Sequence, residues 1–275
     1  MNPTNDDIDQ KSHFAFGKNW ASYAETITED KIEEAKKWLR RLVGDSLSGK
    51  RFLDIGCGSG IHSLAALRLG ASEVVGIDLD ADSVATTIAV LTRHAPNMNW
   101  RASVFSVFDL DKLGLGQFDV VYSWGVLHHT GDMYRALHCA STAVTPRGMF
   151  VFALYRVTAM CWFWKIEKRW YAHSSRSTQA FARSIYVAFF WLGKFVTRGR
   201  FRAHVAQYSR NRGMDFYHDV HDWLGGWPYE SISPEQVEVE MATLNFQPHR
   251  VPARQKRSLG IFGSGCDEFV YCRIN

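Results

Sequence analysis

The chain has 275 residues, a formal net charge of +4 and five cysteines. This length suffices for one large α/β domain or for one domain with an insertion. The small positive charge does not by itself indicate a nucleic-acid partner. The cysteines form no C-x-x-C pair and no metal-ligand spacing with histidine, so we expect reduced thiols in a cytoplasmic protein without a metal centre. The polar, acidic N-terminus does not resemble a signal peptide.

The N-terminal segment, residues 1–48, is predicted to be a helical cap. Thr28 has the character of a helix N-cap, Glu29 and Asp30 suit the first turn, and Gly44 suits the end of the helix. Such a helix could cover a ligand cleft or close the sheet, and it could also mediate contacts in a homo-oligomer. The apolar residues on one helical face are Ile32, Ala35, Leu39 and Leu42.

Between residues 49 and 155, apolar runs of strand length alternate with segments of helical character. This alternation predicts an α/β fold with a parallel, doubly wound sheet. Residues 231–275 supply two closing strands, which we expect to be antiparallel. The predicted strands are 52–55, 73–78, 100–105, 118–122, 149–155, 247–251 and 268–273, and the predicted helices are 61–69, 83–94 and 133–144, with a turn at 146–148.

The stretch Arg51–Gly60 is the centre of the predicted site. It reads as a buried strand, then a turn with alternating glycines, then a helix, and glycine permits the sharp turn and a close approach of a ligand to the backbone. Asp54 precedes the turn, and Asp78 ends the second strand, where a carboxylate can accept hydrogen bonds from a ribose. The spacing G-x-G-x-G is one residue shorter than the dinucleotide fingerprint, which holds a pyrophosphate. A ligand with an amine and a ribose is therefore favoured over a dinucleotide.

Three motifs then carry a family resemblance. The run L-D-I-G-C-G-S-G, followed by V-V-G-I-D and by F-D-V-V-Y-S-W-G-V-L-H-H-T, resembles class I S-adenosylmethionine-dependent methyltransferases, and the last motif is similar to their small-molecule branch. The resemblance covers residues 50–155. It implies a Rossmann-like fold and S-adenosyl-L-methionine as the cofactor.

The resemblance also implies roles for individual residues. The glycine turn would lie under the methionine and ribose portions of the cofactor, Asp54 beside the amino group and Asp78 on the ribose hydroxyls. Asp109 and the backbone near Phe108 would address the adenine. The implied cofactor-binding residues are Asp54, Gly56, Gly58, Gly60, Asp78, Phe108, Asp109, Ser123 and Trp124.

Residues 156–230 concentrate Trp, Tyr and Phe, with Arg and Lys between them. We interpret this segment as a mostly helical substrate lid; an ordinary helical core with buried aromatic residues is the alternative. Its longest apolar run is shorter than the roughly 20 residues of a membrane span. Phe181, Ile185, Phe189 and Leu192 share one helical face. The expected substrate-binding residues are Trp20, Tyr23, Tyr155, Trp162 and Tyr217.

A general base is needed only if the methyl acceptor loses a proton. His128, His129 and His218 are the predicted catalytic residues. The neighbours Asp219, His221 and Asp222 are further candidates, because the spacings H-x-x-H and D-x-x-D place each pair on one helical face. A metal site in this cluster is possible, but a hydrogen-bonded network is favoured.

The aromatic lid favours a lipophilic small molecule of secondary metabolism as the acceptor. Transfer to a hydroxyl oxygen is one option. Transfer to a prenyl alkene carbon is the other, in which aromatic faces stabilise a carbocation that can cyclise, similar to the prenyl C-methyltransferases of teleocidin-type pathways. A quinone- or lipid-type O-methyltransferase at the membrane surface is an alternative. An RNA methyltransferase is a weaker one, since Ser123-Trp124-Gly125 stands where an N-P-P-Y-type motif would be, and no nucleic-acid partner is expected.

Overall fold

A computed structural model describes residues 17–196, 201, 203, 205–206, 208, 216–251 and 258–274, without the side chains of Lys18, Leu113 and His218. The strands are β1 (Arg51–Ile55), β2 (Glu73–Asp78), β3 (Trp100–Val104), β4 (Phe118–Trp124), β5 (Val144–Tyr155), β6 (Phe246–Arg250) and β7 (Cys266–Arg273). The helices are α1 (Gly17–Ala24), α2 (Glu29–Val43), α3 (Ile61–Arg68), α4 (Ala81–His94), α5 (Met133–Thr142), α6 (Cys161–Ala172), α7 (Arg176–Val196), α8 (Phe216–Gly225) and α9 (Pro234–Thr243), with short 3₁₀ helices at Val107–Leu113 and Leu127–His129.

The seven strands form one sheet in the order β3-β2-β1-β4-β5-β7-β6. The pairs from β3 to β5 are parallel, while β7 runs antiparallel to both β5 and β6. The strand order reverses between β1 and β4, and in open α/β sheets ligands bind outside the carboxyl ends of the strands at this point. The predicted α/β fold, its doubly wound sheet and the two antiparallel closing strands are confirmed.

Helix α1 was not expected, because residues 17–24 show no apolar period. It packs on α4, and the carboxylate of Asp80 joins the two helices. Asp80 accepts a hydrogen bond from the Gly17 backbone N–H at 3.0 Å and caps α4 by accepting from the N–H groups of Asp82 and Ser83. This cap starts α4 at Ala81, two residues before the predicted start. The Thr28 side chain, in contrast, makes no capping bond at the start of α2.

The segment 146–148 is part of strand β5 and not a turn before it. The register with β4 moves from Phe118 opposite Val144 to Val120 opposite Met149. The extra residues form an irregularity in which Arg147 adopts a φ of 63°, as in a β-bulge. The strand therefore begins five residues earlier than its apolar run indicates.

Helix α2 packs against the sheet through the predicted face, where Ile32 and Leu39 are fully buried beside Phe52 of β1. Contacts of α2 with its own sheet favour the capping role. The homo-oligomer contact, the cytoplasmic location and the domain limits stay predictions. All five cysteines are free thiols.

The lid segment is helical, as expected, but only part of it is buried. Tyr155, Trp164, Tyr171 and Phe216 belong to an aromatic cluster formed largely by α6 and α8. Helix α7 contains no buried residue and exposes the face that carries Phe181. Among the helices that the structure describes, none has the length and apolar character needed to cross a membrane.

Replacing Leu39 by alanine tests the packing of α2. Leu39 is fully buried, and a buried Leu→Ala change costs about 2–5 kcal/mol. We expect Leu39→Ala to lower the free energy of unfolding in urea by this amount. Lys37→Ala, at an exposed site of the same helix, should change it by less than about 0.5 kcal/mol. Equal effects of the two changes would show that α2 is not part of the core.

Candidate functional site

The turn after β1 has a shape that glycine permits. Gly56, Gly58 and Gly60 have φ values of 77°, 51° and 75°, in the left-handed region. A Cβ on Gly56 would come within 2.3 Å of the Val126 side chain, and one on Gly58 within 3.2 Å of the Trp20 ring. The turn is therefore closely covered by the segment after β4 and by α1.

Two carboxylates lie beside this turn at the ends of β1 and β2. Asp54 is 3% exposed and accepts a hydrogen bond from the Ser63 hydroxyl at 2.6 Å. Asp78 accepts from the backbone N–H groups of Gly58 and Asp80, both at 3.0 Å. Burial raises the pKa of Asp54 to about 7 and the pKa of Asp78 to about 6. The site thus places a buried acid, Asp54, beside a half-buried one, Asp78, and a positively charged group would stabilise both in their ionised form.

A wall of aromatic rings lies beyond the ends of β4 and β5. The fully buried ring of His128 is 3.8 Å from the ring of Tyr155 and 4.3 Å from that of His129, between centroids. Trp223 and Tyr229 contact Tyr155 at 5.1 and 5.3 Å. Among the residues that the structure describes, none makes a hydrogen bond of normal geometry with either ring nitrogen of His128. Burial lowers the pKa of His128 far below its ordinary value, so its ring is neutral.

His129 is held by the segment after α8. Its Nδ1 lies 2.7 Å from the Pro228 carbonyl, and because a carbonyl only accepts, Nδ1 is the donor. In the neutral ring the lone pair is then on Nε2. The backbone of Gly226 lies against this ring, since a Cβ there would come within 2.6 Å of Cε1. The ring of His129 is therefore held in a defined orientation by the segment after α8.

Lys168 of α6 is a buried lysine that is not among the predicted site residues. Its Nζ lies 3.5 Å from the centroid of the Trp223 ring and donates to the Trp223 carbonyl. The side chain is fully buried, and this burial lowers its pKa to about 7. The rings of Trp164 and Tyr229 are also within cation–π distance, at 5.8 and 5.6 Å. The sequence signal for this buried lysine was its position, as the second lysine, in the aromatic run C-W-F-W-K-I-E-K-R-W-Y.

Helix α1 connects the aromatic wall to the glycine turn. Trp20 covers Gly58, and the neighbouring Asn19 donates a hydrogen bond to Asp222 Oδ1 of α8 at 2.8 Å. The other oxygen, Oδ2, is buried and has no hydrogen-bond partner among the described residues. Burial raises the pKa of Asp222 well above its ordinary value.

A family model described as a methyltransferase domain matches residues 27–245, most of the chain. The chain belongs to this methyltransferase family. The expected enzyme class agrees with the family, and the motifs from Arg51 to Thr130 fall within the matched part.

The methyltransferase is similar to parts of proteins with different substrates. It is 33% identical over 117 residues to ubiquinone biosynthesis O-methyltransferase of Bordetella avium, covering 42% of this chain and 47% of that protein. It is 35% identical over 109 residues to tRNA U34 carboxymethyltransferase of Idiomarina loihiensis, covering 39% and 33%. The chain thus spans less than half the length of these curated relatives.

Solved structures agree in fold. The magnesium protoporphyrin IX methyltransferase ChlM of Synechocystis PCC 6803, crystallised with bound SAH, superposes with a TM-score of 0.51 at 15% identity, covering 89% of this chain and 82% of that chain. An S-adenosylmethionine-dependent methyltransferase of Mesorhizobium loti gives 0.51 at 20% identity, covering 88% and 100%. At these identities the likeness concerns the Rossmann-like fold alone.

The charges beside the glycine turn suit S-adenosylmethionine. This cofactor carries an ammonium and a sulfonium, and Asp54 and Asp78, with their raised pKa values, are acids whose ionised form such a cation would stabilise. The carboxylate of Asp78 has lone pairs that can accept hydrogen bonds from hydroxyl groups besides those from backbone N–H groups. The glycine turn lets backbone approach a ligand where a Cβ could not be placed.

Four other predicted cofactor residues have structural partners. Asp109 lies in the 3₁₀ helix after β3 and pairs with Lys112 at 2.5 Å, while Arg135 stacks on the Phe108 ring at 4.6 Å. The Ser123 hydroxyl donates to the Ile55 carbonyl at 3.2 Å, and Trp124 Nε1 donates to Glu268 at 2.8 Å. The backbone N–H of Phe105 donates to the Asp78 carbonyl at 2.9 Å, so this segment borders the site. Contact of these four residues with the cofactor stays a prediction.

The predicted substrate residues lie in different parts of the structure. Tyr155 belongs to the aromatic wall and Trp20 to the cover of the glycine turn. Tyr23 packs edge-on against Trp20 at 6.0 Å and is buried in the core of the methyltransferase. Trp162 and Tyr217 are 65% and 54% exposed, so they are not gathered into the wall.

The post-lid residues form structural contacts. The side chain of His218 lies outside the described residues. His221 Nδ1 lies 2.7 Å from the Tyr171 hydroxyl and 3.1 Å from Arg183, and the Tyr208 hydroxyl donates to Asp219. Within the described part of the chain, no group of three or more His, Cys, Asp or Glu residues could hold a metal. The contacts match the predicted hydrogen-bonded network.

Replacing Asp54 by asparagine tests the cost of the buried acid. Its pKa is raised to about 7 in the folded state, so it opposes folding progressively as pH rises from about 4 to about 7. Asparagine keeps an acceptor for Ser63 and has no charge to bury. At pH 8 we expect the free energy of unfolding of Asp54→Asn to exceed that of wild type by on the order of a few kcal/mol. Near pH 4 the two free energies of unfolding should be equal.

Urea unfolding across this pH range provides the measurement. Asp45→Asn serves as the control, because the side chain of Asp45 is 99% exposed, and it should follow wild type at every pH. An Asp54→Asn variant with the wild-type pH dependence would contradict a raised pKa at this position.

Proposed function

We propose that this protein transfers a methyl group from S-adenosylmethionine to a hydroxyl oxygen of a lipophilic small molecule. The observation that carries the proposal is the pair of acids beside the glycine turn, the buried Asp54 and the half-buried Asp78, both with raised pKa values, in a chain of the methyltransferase family. The aromatic wall beside the turn supports the lipophilic acceptor. A role in secondary metabolism is part of the same proposal.

The residues around the turn would hold the cofactor. Asp54 binds the ammonium of its methionine portion, and Asp78 binds the ribose hydroxyls. The turn Gly56–Gly60 brings backbone against the cofactor, and Trp20 covers it. When bound, S-adenosylmethionine supplies a methyl group on a leaving group that is already activated, so the protein gains most from positioning and from excluding water.

The aromatic wall would hold the acceptor and keep water out. Burial of an apolar acceptor against the rings of Tyr155, Trp223 and Tyr229 is favourable at about 25 cal/mol per Å² of apolar surface. His128 is buried and neutral, with a pKa far below its ordinary value, and it serves as part of this wall. A flat ring system suits such a surface better than a charged or strongly hydrated acceptor does.

His129 and Asp222 are the two side chains that we expect to act on the acceptor hydroxyl: one removes its proton and the other orients it. Nε2 of the oriented His129 takes the hydroxyl proton as the oxygen is methylated. Asp222 Oδ2, which has no partner among the described residues, makes a hydrogen bond that orients the acceptor; the raised pKa of Asp222 favours its protonated form, in which Oδ2 is the donor. The similarity to a ubiquinone biosynthesis O-methyltransferase is consistent with a hydroxyl acceptor.

A second candidate is methyl transfer to a prenyl alkene carbon. The aromatic wall groups the rings of Tyr155, Trp223 and Tyr229 into one surface. The same kind of surface stabilises a carbocation, and no base is needed to form it. The similarity to prenyl C-methyltransferases of teleocidin-type pathways belongs to this candidate.

Calorimetry with S-adenosylhomocysteine tests the cofactor site. Loss of a buried hydrogen bond to a charged group costs about 1.5–3 kcal/mol, so we expect Asp78→Asn to weaken binding by about 10- to 100-fold. Asp111→Asn, at an exposed position of the neighbouring 3₁₀ helix, is the control. Unchanged affinity in Asp78→Asn would exclude the cofactor site described here.

Transfer of labelled methyl groups to a panel of phenols, quinones and prenylated indoles separates the two candidates. For a hydroxyl acceptor, we expect His129→Gln to lower kcat by about 10²- to 10⁴-fold, since general-base catalysis contributes this much. The control His138→Gln lies at an exposed site and should leave kcat unchanged.

An alkene acceptor would keep its rate in the same variant, because no proton is removed before the carbocation forms. Label in tRNA alone would refute both candidates. Calorimetry with S-adenosylhomocysteine on His129→Gln verifies that the variant is folded.

A further inference from the structure

The positive charge of this protein is concentrated in one segment. Residues 156–214 contain 12 Lys or Arg and one Asp or Glu, whereas the remaining residues contain 20 Lys or Arg and 27 Asp or Glu. The segment therefore has a net charge of +11 and the remainder a net charge of −7, which together give the +4 of the chain. Burial raises the pKa of the single acid of the segment, Glu167, to about 7 and lowers the pKa of Lys168 to about 7, so the two shifts together leave the net charge of the segment unchanged.

Helix α7, within this segment, has two unlike sides. On one side Tyr186 and Phe190 pack against the aromatic cluster of the lid. On the other side large apolar residues at helical spacing face outward. Their exposed fractions are 67% for Phe181, 53% for Ile185, 49% for Phe189, 49% for Leu192 and 68% for Phe195.

This exposed side continues onto the loop 258–262. The ring of Phe262 lies 5.1 Å from that of Phe189, and Leu259 and Ile261 are 65% and 43% exposed. The loop is attached to the start of α6, where the Met160 N–H donates to the Leu259 carbonyl at 3.1 Å. Trp162, the second residue of α6, is 65% exposed. We call these outward residues of α6, α7 and the loop the apolar face.

We propose that the apolar face docks the protein on the surface of an anionic lipid bilayer. An element that carries Trp, Phe and Leu on one side and Lys and Arg around it lies in the interface of a membrane, with its apolar side in the boundary between headgroups and acyl chains. Basic residues beside that side are attracted by the negative potential of anionic lipids. This inference does not rest on the proposed methyl transfer.

Charge and chemistry distinguish a bilayer from other partners. A second copy of the chain would bring two segments of net charge +11 together, whereas an anionic surface has the opposite sign. RNA would satisfy the cations and could stack on exposed rings. It would leave the aliphatic side chains of Ile185, Leu192, Leu259 and Ile261 without apolar partners, and acyl chains would bury them.

Co-sedimentation of the full-length protein with vesicles tests the proposal. We expect binding to vesicles of phosphatidylglycerol mixed with phosphatidylcholine, weaker binding to phosphatidylcholine alone, and loss of affinity as salt is raised. Replacing both Phe189 and Leu192 by serine should reduce the affinity by at least about tenfold, since each side chain contributes the transfer energy of a large apolar group.

A matched control uses an apolar residue outside the lid. Val239 on α9 is 68% exposed, and Val239→Ser should bind vesicles as wild type does. A charge pair adds a second test: Lys194→Glu on α7 should weaken binding to anionic vesicles several-fold, whereas Arg93→Glu on α4 should not. Thermal unfolding and affinity for S-adenosylhomocysteine should be unchanged in all four variants.

Three results would overturn the inference. One is equal vesicle binding by wild type and the Phe189→Ser/Leu192→Ser variant, or no binding by wild type. The second is a wild-type dimer in sedimentation velocity that the same variant dissociates, which would assign the face to a second copy. The third is tRNA binding that this variant loses while vesicle binding stays absent. None of these results bears on the cofactor site, which is measured separately.

Discussion

The placement of two carboxylates, one buried and one half-buried, at one edge of the sheet is the constraint on which the rest of this structure depends. Strands β1 and β2 pair in parallel with Asp54 opposite Gly76, so the acids at their ends lie close to the glycine turn. The surrounding protein limits their contact with solvent, and the exposed fraction of Asp54 is 3%. Both acids therefore have raised pKa values, and a positively charged ligand returns part of the free energy that their burial costs.

Helix α1 joins the two halves of the proposed active site. Its start is bonded to Asp80 of the sheet domain, Trp20 covers the glycine turn, and Asn19 is bonded to Asp222 of the lid. A ligand at the turn and an acceptor at the aromatic wall would both contact elements that this one helix holds.

The lid itself has two surfaces with different chemistry. Inward rings such as Trp164 and Trp223 pack around the buried ammonium of Lys168. Outward rings such as Phe189, which packs against Phe262, belong to a segment with a net charge of +11. An aromatic-rich sequence therefore encodes both an interior wall and an exterior face. The periodicity of the α7 sequence predicts an apolar face on this helix. It does not predict whether that face is buried in the core or exposed at the surface.

Local patterns were sufficient for the sheet, the glycine turn and the acids beside it. Strand length, alternation and the glycine spacing are properties of neighbouring residues, and the structure confirms the parallel sheet they predict. Helix α1 could not be found in this way, because its start depends on a carboxylate 63 residues away. The bulge at Arg147 was equally hidden, since it depends on the register with β4.

By itself, the sequence determined that a strand, a glycine turn and a helix are followed by a strand ending in an acid, and hence the fold and the family. Only the tertiary structure decided which polar groups meet at long range. It placed Asp222 against Asn19, buried Lys168 on Trp223, and left Trp162 and Tyr217 at the surface. The physical reason is that backbone geometry and local periodicity act between near neighbours, whereas burial, and with it every shifted pKa here, is set by segments that meet only in the folded chain.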